Sequence, residues 1–214
     1  MKPTMATSSP PAPLEEVPLR GVRLPAPARR RQLLDAALGA FAERSFHAVS
    51  MEEVAVAAGI TKPVLYQHFG SKRALYLELL SDVGSQLMVT IAKATASARG
   101  PRQQVEAGFG AYFAFVATHD RAFRLLFGGG ARRDQEFRQA VQRVEDSIAE
   151  AVAARIEADI DPDHRRQLAY GVVGLAEATA RHWQAGPPSR PGPEVLARRV
   201  ADLAWAGLRG VHRD

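Results

Sequence analysis

Cysteine is absent from this chain of 214 residues. Its absence excludes disulfide bonds, zinc–thiolate sites and thiol chemistry, and it is compatible with a reducing compartment, so we expect a cytoplasmic protein. No apolar run approaches the roughly 20 residues that a membrane-spanning helix needs. The first residues also lack the apolar segment of a secretory signal.

Enzyme signatures are missing as well. The sequence contains no GxSxG, no HExxH and no GxGxxG after a strand, and its six histidines are scattered. We therefore expect no catalytic residues, no cofactor and no metal site. A binding protein and a purely helical scaffold are the two classes that remain.

Proline is concentrated near the N-terminus, where residues 1–27 hold half of the 14 prolines and show no apolar period. This composition predicts a disordered arm over residues 1–25. A cluster of arginines without an intervening acid follows: Arg20, Arg23, Arg29, Arg30 and Arg31. The net charge of +5 permits an anionic partner, so the arm is either simply solvated or reaches a DNA minor groove or phosphates.

A helical pattern begins after this arm. Leu34, Leu38 and Phe41 recur on one face of a first helix that runs to about Arg44. A second, short helix is indicated by Ser50 and Glu53, which have the spacing of a capping box.

The end of the second helix and the start of the third are marked by turn residues. Gly59 is predicted to end the second helix in the left-handed conformation, and Thr61 is predicted to cap the third, with Pro63 in its first turn. Two short helices joined by a tight turn and packed on a longer one form a helix-turn-helix. A scaffold would explain helices elsewhere in the chain but not this capped motif.

The third helix has one apolar side. Leu65 and Phe69 lie one turn apart and should point inward, while Gly70 ends the helix and Ser71 caps a longer one. The side chains left for solvent or a partner are Lys62, Pro63, Val64, Tyr66, Gln67 and His68. Lysine reaches phosphates, tyrosine contacts the backbone or a thymine methyl, and glutamine reads an adenine edge, so the expected partner is double-stranded DNA.

The run from Phe41 to Leu80 resembles the DNA-binding domain of TetR-type transcriptional regulators. This resemblance implies an all-α homodimer of about nine helices per chain, with a helix-turn-helix domain over residues 26–76 and a larger ligand-binding and dimerisation domain over residues 77–214. It also implies a (pseudo)palindromic DNA operator. Positions that match operator contacts in the family are Ser50, Thr61, Lys62, Pro63, Val64, Tyr66, Gln67, His68 and Lys72, to which we add Arg29 and Arg30 from the arginine cluster.

Apolar periodicity predicts six further helices, over about residues 71–98, 101–119, 120–127, 133–159, 162–184 and 194–208. The last two carry small and apolar faces that form either a core within one chain or a four-helix dimer interface. We favour the interface, because reading a palindrome requires two copies about 34–36 Å apart. The residues expected there are Leu168, Val172, Leu175, Thr179, Val200 and Leu203.

Most of the aromatic residues lie in the C-terminal part of the chain, where they form either ordinary core or the wall of an apolar cavity. The expected lining is Phe109, Tyr112, Phe113, Val116, Phe123, Phe127, Tyr170 and Trp183. A second, patchier resemblance is to an actinobacterial branch of the TetR family that senses long-chain acyl-CoA and controls fatty-acid synthesis genes. It implies a small hydrophobic effector such as a fatty acyl-CoA. The alternative is a repressor of an efflux or catabolic gene that senses an unrelated hydrophobic molecule, and the sign of control stays open.

Overall fold

A computed structural model describes residues 25–128 and 134–211 of the chain. The expected all-α class is confirmed, with nine α-helices in these two segments and a one-turn 3-10 helix at Phe46–Ala48. The helices are α1 (Ala26–Glu43), α2 (Met51–Ala57), α3 (Lys62–His68), α4 (Lys72–Thr95), α5 (Pro101–Thr118), α6 (Asp120–Phe127), α7 (Gln135–Ala153), α8 (Pro162–Gln184) and α9 (Pro193–Leu208). The predicted arm, apart from Pro25, lies outside the described residues.

Local sequence explains the start of α2 and the turn after it. Ser50 Oγ accepts from the Glu53 amide, and the Glu53 carboxylate accepts from the Ser50 amide, so the predicted capping box is confirmed. Gly59 has a φ of 67°, which confirms the predicted left-handed residue in the turn between α2 and α3. Gln32 Nε2 in α1 donates to the Ala58 carbonyl at 3.0 Å and ties this turn to α1.

Two predictions about the ends of α3 were wrong in detail. Thr61 occupies the N-cap position, but its side chain makes no capping hydrogen bond. At the other end Gly70 was expected to close the helix, but α3 stops at His68 and Phe69 is already extended. Pro63 in the first turn has no amide, so one fewer donor at the helix start needs a partner. Ser71 caps α4 as expected, accepting from the Ala74 amide at 3.0 Å.

α4 joins the two parts of the molecule. Its first turns pack with α1, and its later turns pack between α5 and α7. Gly84 lies where α4 meets α7, and a Cβ placed there would lie 2.4 Å from Val144 Cγ2. Glycine therefore allows the two helices to approach more closely than any larger residue would permit.

An aromatic cluster, which we call the junction cluster, consists of Phe46, Tyr76 and Phe137. The ring centroids of Phe137 lie 4.8 Å from Phe46 and 4.5 Å from Tyr76. Phe137 belongs to the first turn of α7, whereas Phe46 precedes α2. The junction cluster thus places the start of α7 directly against the helix-turn-helix.

The C-terminal helices begin where the sequence predicts, but α7 ends earlier. It stops at Ala153, whereas the apolar series suggested a helix to about residue 159. Ile156 instead lies in the connection between α7 and α8. Asp161 caps α8 by accepting from the amides of Asp163 and His164, which confirms a new helix at Pro162.

Candidate DNA-binding surface and effector cavity

α3 presents the chemistry predicted for it. Leu65 and Phe69 are buried, which confirms the predicted inner side of the helix. The exposed residues are Thr61, Lys62, Pro63, Tyr66 and Gln67, while Val64 and His68 are half-buried. Tyr66 is 43% exposed, which is unusual for a large aromatic residue without a partner surface. A short rod with a buried apolar side and an exposed polar side has the form of a helix that enters a DNA groove.

α2 makes polar contacts with the C-cap of α1 and one long contact with α3. The Arg44 guanidinium donates to Glu53 at 2.7 Å, and this hydrogen bond, together with the Ser50 amide and hydroxyl, lowers the pKa of Glu53 to about 2. Lys62 at the start of α3 lies 3.9 Å from the Glu52 carboxylate, a long and exposed pair. The Lys62 ammonium therefore stays available to a phosphate.

Three cations expected at DNA have partners within the chain. Arg29 donates to the Gln32 side chain. Arg30 forms a bidentate pair with Glu78, donates to the His68 carbonyl and lies over the Phe69 ring.

Lys72 is also engaged within the chain. Its ammonium donates to the carbonyls of Phe46 and Val49 at 2.9 Å each and lies over the Phe46 ring. It thereby satisfies the carbonyl of the first residue of the 3-10 helix and that of the residue directly after it. Contact of Arg29, Arg30 and Lys72 with DNA stays a prediction, and these internal bonds give each of the three a structural role.

A cavity of about 490 Å³ lies between α4, α5, α7, α8 and the end of α9. Its wall is mainly aliphatic and aromatic. Examples, one each from α4, α5, α7 and α8, are Ile91, Phe109, Ile148 and Val172. The volume falls within the range of small-molecule sites, about 300–1,000 Å³.

The predicted ligand residues divide into three groups. Phe109, Tyr112 and Phe127 line the cavity. Phe113, Val116 and Phe123 are buried in the core outside the cavity wall, since helical periodicity does not distinguish core packing from a cavity wall. Tyr170 and Trp183 are tied to other groups: Tyr170 donates to Asp146 at 2.6 Å, and Trp183 Nε1 donates to the Pro191 carbonyl at 2.7 Å.

Several cavity residues escaped the sequence reasoning. Those on α4 and α7, such as Met88 and Val152, are absent from the expected lining. Polar residues also line the cavity. Among them are Glu177 on α8, and Arg155 and Arg209 just after the ends of α7 and α9. We call the end of the cavity at Arg155 and Arg209 its outer end. Glu177 had a usable signal, because it is the single charged residue between Arg166 and Arg181 in a run of small and apolar residues.

Glu177 and Tyr112 give the cavity a polar inner wall. Glu177 is buried and forms an ion pair with Arg181 one turn along α8. Burial, followed by the nearby charge of Glu177, raises the pKa of the Tyr112 hydroxyl well above its ordinary value. Tyr112 is therefore a protonated hydrogen-bond donor at any pH near neutrality.

The residues predicted for a dimer interface differ in what they face. Val200 is buried against its own chain, because α9 packs on α5, so it offers no surface to a partner. Val172 lines the cavity. Leu168, Leu175 and Thr179 are half-buried, and Leu203 is 62% exposed. Leu203 is thus the large apolar side chain on α9 that a second copy could cover.

Comparison with known proteins matches this geometry. The family model for bacterial regulatory proteins of the tetR family matches residues 33–79, and that for the tetracyclin repressor-like C-terminal domain matches residues 101–207. The chain is 33% identical to the HTH-type transcriptional activator FasR of Mycolicibacterium smegmatis over 195 residues, which cover 90% of this chain and 88% of that protein. The chain belongs to the TetR family of transcriptional regulators. It is thus a ligand-responsive transcriptional regulator, from a family that is not enzymatic.

Solved structures agree with the fold of this TetR-family regulator. A TetR-like transcriptional regulator from Rhodococcus sp. RHA1 superposes with a TM-score of 0.72 at 31% identity, covering 88% of this chain and all of that one. FadR from Bacillus subtilis, solved in complex with stearoyl-CoA, superposes with a TM-score of 0.70 over 85% of this chain and 99% of that one. At 17% identity the second likeness concerns the fold alone.

Metal-binding clusters and membrane-spanning helices are both absent from the residues that the structure describes. No group of three or more histidine, aspartate or glutamate side chains in these segments could hold a metal ion. Within residues 25–128 and 134–211, no helix combines the length and the apolar character needed to cross a membrane.

Proposed function

We propose that this regulator binds a (pseudo)palindromic operator as a homodimer through α3, and that a fatty acyl-CoA is its effector. The observation that carries the DNA half of this proposal is α3 itself, with Tyr66 and Gln67 exposed opposite the buried Leu65 and Phe69. Helix-turn-helix dimers read two half-sites about 34–36 Å apart, so one copy of α3 is insufficient.

The observation that supports the effector half is the shape and lining of the cavity. Pro101 and Tyr112 both line it and lie about 16 Å apart along α5, at about 1.5 Å per residue. An elongated apolar wall of this length suits an acyl chain. Arg155 and Arg209 towards its outer end are suitable partners for phosphate groups of a CoA moiety. FadR from Bacillus subtilis, a protein of the same fold solved in complex with stearoyl-CoA, supports this choice.

The DNA half is tested by fluorescence anisotropy with the DNA upstream of the gene. Tyr66→Ala and Gln67→Ala should each weaken specific binding by about 1–3 kcal/mol while leaving nonspecific binding nearly unchanged. Lys62→Ala should weaken binding to all sequences and flatten the salt slope by about one unit, because it removes a phosphate contact. Val89→Ala, an equally exposed site on α4, is the control and should change nothing. Equal losses for all four variants would contradict the reading role of α3.

The effector half is tested by thermal unfolding with acyl-CoAs of increasing chain length. A ligand present at 100 times its Kd stabilises the native state by about 2.7 kcal/mol, which corresponds to a shift of several degrees. Val152→Trp fills the cavity and should abolish the shift, whereas Val89→Trp on the outer side of α4 should retain it. If no acyl-CoA at saturating concentration raises the unfolding temperature of the wild type, the acyl-CoA proposal fails. The alternative effector, an unrelated small hydrophobic molecule, then takes its place.

A further inference from the structure

Two polar side chains interrupt the apolar wall of the effector cavity at one place. Tyr112 and Glu177 both line the cavity and both are buried. The Tyr112 hydroxyl has no hydrogen-bond partner among the described residues. Such a buried, unpartnered hydroxyl is costly and calls for an explanation.

This pair marks the inner end of the cavity. Tyr112 is the residue of α5 nearest its C-terminus that lines the wall, and Glu177 is the corresponding residue of α8. Both helices run towards the DNA-binding domain, since α5 leads into α6 and Gln184 at the end of α8 donates to Asp120 at the start of α6. α6 in turn packs on α1, where Arg121 pairs with Glu43. With its CoA group at Arg155 and Arg209, as proposed above, an acyl chain has its far end at Tyr112 and Glu177.

The chemistry of the pair is specific. Tyr112 supplies a donor, and the Glu177 carboxylate, which is already paired with Arg181, is an acceptor. A methyl end group satisfies neither residue. A carboxylate end group would place a second negative charge beside Glu177. A hydroxyl group both accepts and donates and is therefore complementary to both residues.

We propose that this cavity selects acyl chains by their far end, and that Tyr112 and Glu177 bind a hydroxyl group carried there. The inference rests on the proposed function, because it concerns the acyl chain of the same effector. It makes Tyr112 and Glu177 specificity-determining residues, whereas the aliphatic wall binds any chain of suitable length.

Isothermal titration of the full-length protein with dodecanoyl-CoA and ω-hydroxydodecanoyl-CoA tests this proposal. The wild type should bind the hydroxylated chain roughly tenfold more tightly, the effect of one buried hydrogen bond. Tyr112→Phe should bring the two affinities to near parity and leave the affinity for the plain chain equal or higher. Tyr170→Phe is the matched control, because its hydroxyl is bonded to Asp146 on the surface, and it should keep the preference. Glu177→Gln, which keeps the size of the side chain, should also reduce the preference.

The possible failures are distinct. If the wild type binds both chains with equal affinity, or if Tyr112→Phe keeps the full preference, the assignment of these residues is overturned and the acyl-CoA proposal stands. If neither thioester binds the wild type at saturating concentration, the proposed effector and this inference are both overturned.

Discussion

At the scale of single residues, Gly84 shows how a helix interior can require the residue least suited to it. Glycine in the middle of α4 costs helix stability relative to alanine, by about 1 kcal/mol. The Val144 side chain occupies the space that a Cβ would need, so that this cost is offset by the close packing of α4 on α7.

Gly84→Ala should therefore lower the free energy of unfolding by about 1–3 kcal/mol, because overpacking outweighs the gain in helix propensity. Gly110→Ala is the matched control: it lies in the interior of α5, has no atom within 4 Å of its added Cβ, and should stabilise the protein by about 0.5–1 kcal/mol. Urea unfolding followed by circular dichroism measures both. Equal stabilisation by the two substitutions would show that α4 and α7 are not in such close contact.

Residue roles that depend on neighbours in sequence were predictable, and those that depend on distant partners were not. The capping box of Ser50 and Glu53 and the left-handed Gly59 follow from spacing within a few residues. Lys72, in contrast, was expected to meet phosphate, and its bonds to carbonyls more than 20 residues away have no local signature. The same reason explains Arg30, whose partner Glu78 lies in another helix.

At the scale of elements, α7 links the two sites. Its last turns contribute Ile148 and Val152 to the cavity wall, and its first turn contributes Phe137 to the junction cluster. Arg73 at the start of α4 donates to Asp134 and Glu136 and lies over the Phe137 ring, which ties the two helix N-termini together. A ligand that displaces α7 would therefore act on the base of the helix-turn-helix.

This tie has a predicted pH dependence. Hydrogen bonds that Asp134 accepts from Arg73, aided by those from the amides of Phe137 and Glu136, lower the pKa of Asp134 from 3.8 to about 2. A lowered pKa means that the stabilisation is present above the unfolded-state value and is lost as the pH falls from about 4 towards 2.

Asp134→Asn keeps an N-cap acceptor and removes the charge. The stability difference between wild type and Asp134→Asn in urea unfolding should be constant around neutral pH and vanish near pH 2. Asp163→Asn, at a carboxylate that is 82% exposed, is the control and should differ little from wild type throughout. If the wild type were still more stable than Asp134→Asn near pH 2, the difference in stability would not come from the ion pair with Arg73.

Element positions were more predictable than the cavity they enclose. Pro101, Pro162 and Pro193 lie in the first turns of α5, α8 and α9, so that helix starts are visible in the sequence. Periodicity also identified buried residues such as Leu65 and Phe113, although Leu203 is exposed. It could not separate Phe109, which lines the cavity, from Phe113, one turn later in the core, because both are buried on related faces of α5.

At the scale of the whole molecule, the proposed palindromic operator requires a second copy, and we propose that α8 and α9 form the surface that binds it. Leu203→Glu, at a side chain 62% exposed, should have little effect within one chain but should dissociate a dimer that covers it. Val89→Glu, at a residue 50% exposed on α4, is the control and should remain dimeric. Analytical ultracentrifugation measures the mass of each protein in solution. If Leu203→Glu had the same mass as the wild type, this surface would be excluded as the dimer interface.

The central claim is that occupation of the cavity and binding of DNA by α3 are coupled through α4 and α7. Coupling between two sites is reciprocal and typically amounts to about 1–3 kcal/mol, or 5–150-fold. The sign separates an activator from a repressor, and its existence does not depend on the sign.

The most direct measurement is a titration of labelled operator DNA by fluorescence anisotropy, with and without saturating acyl-CoA, paired with a titration of acyl-CoA in the presence and absence of operator. We predict that acyl-CoA changes the DNA affinity at least fivefold and that DNA changes the acyl-CoA affinity by the same factor. Tight binding of both partners with no effect of either on the other would contradict the account.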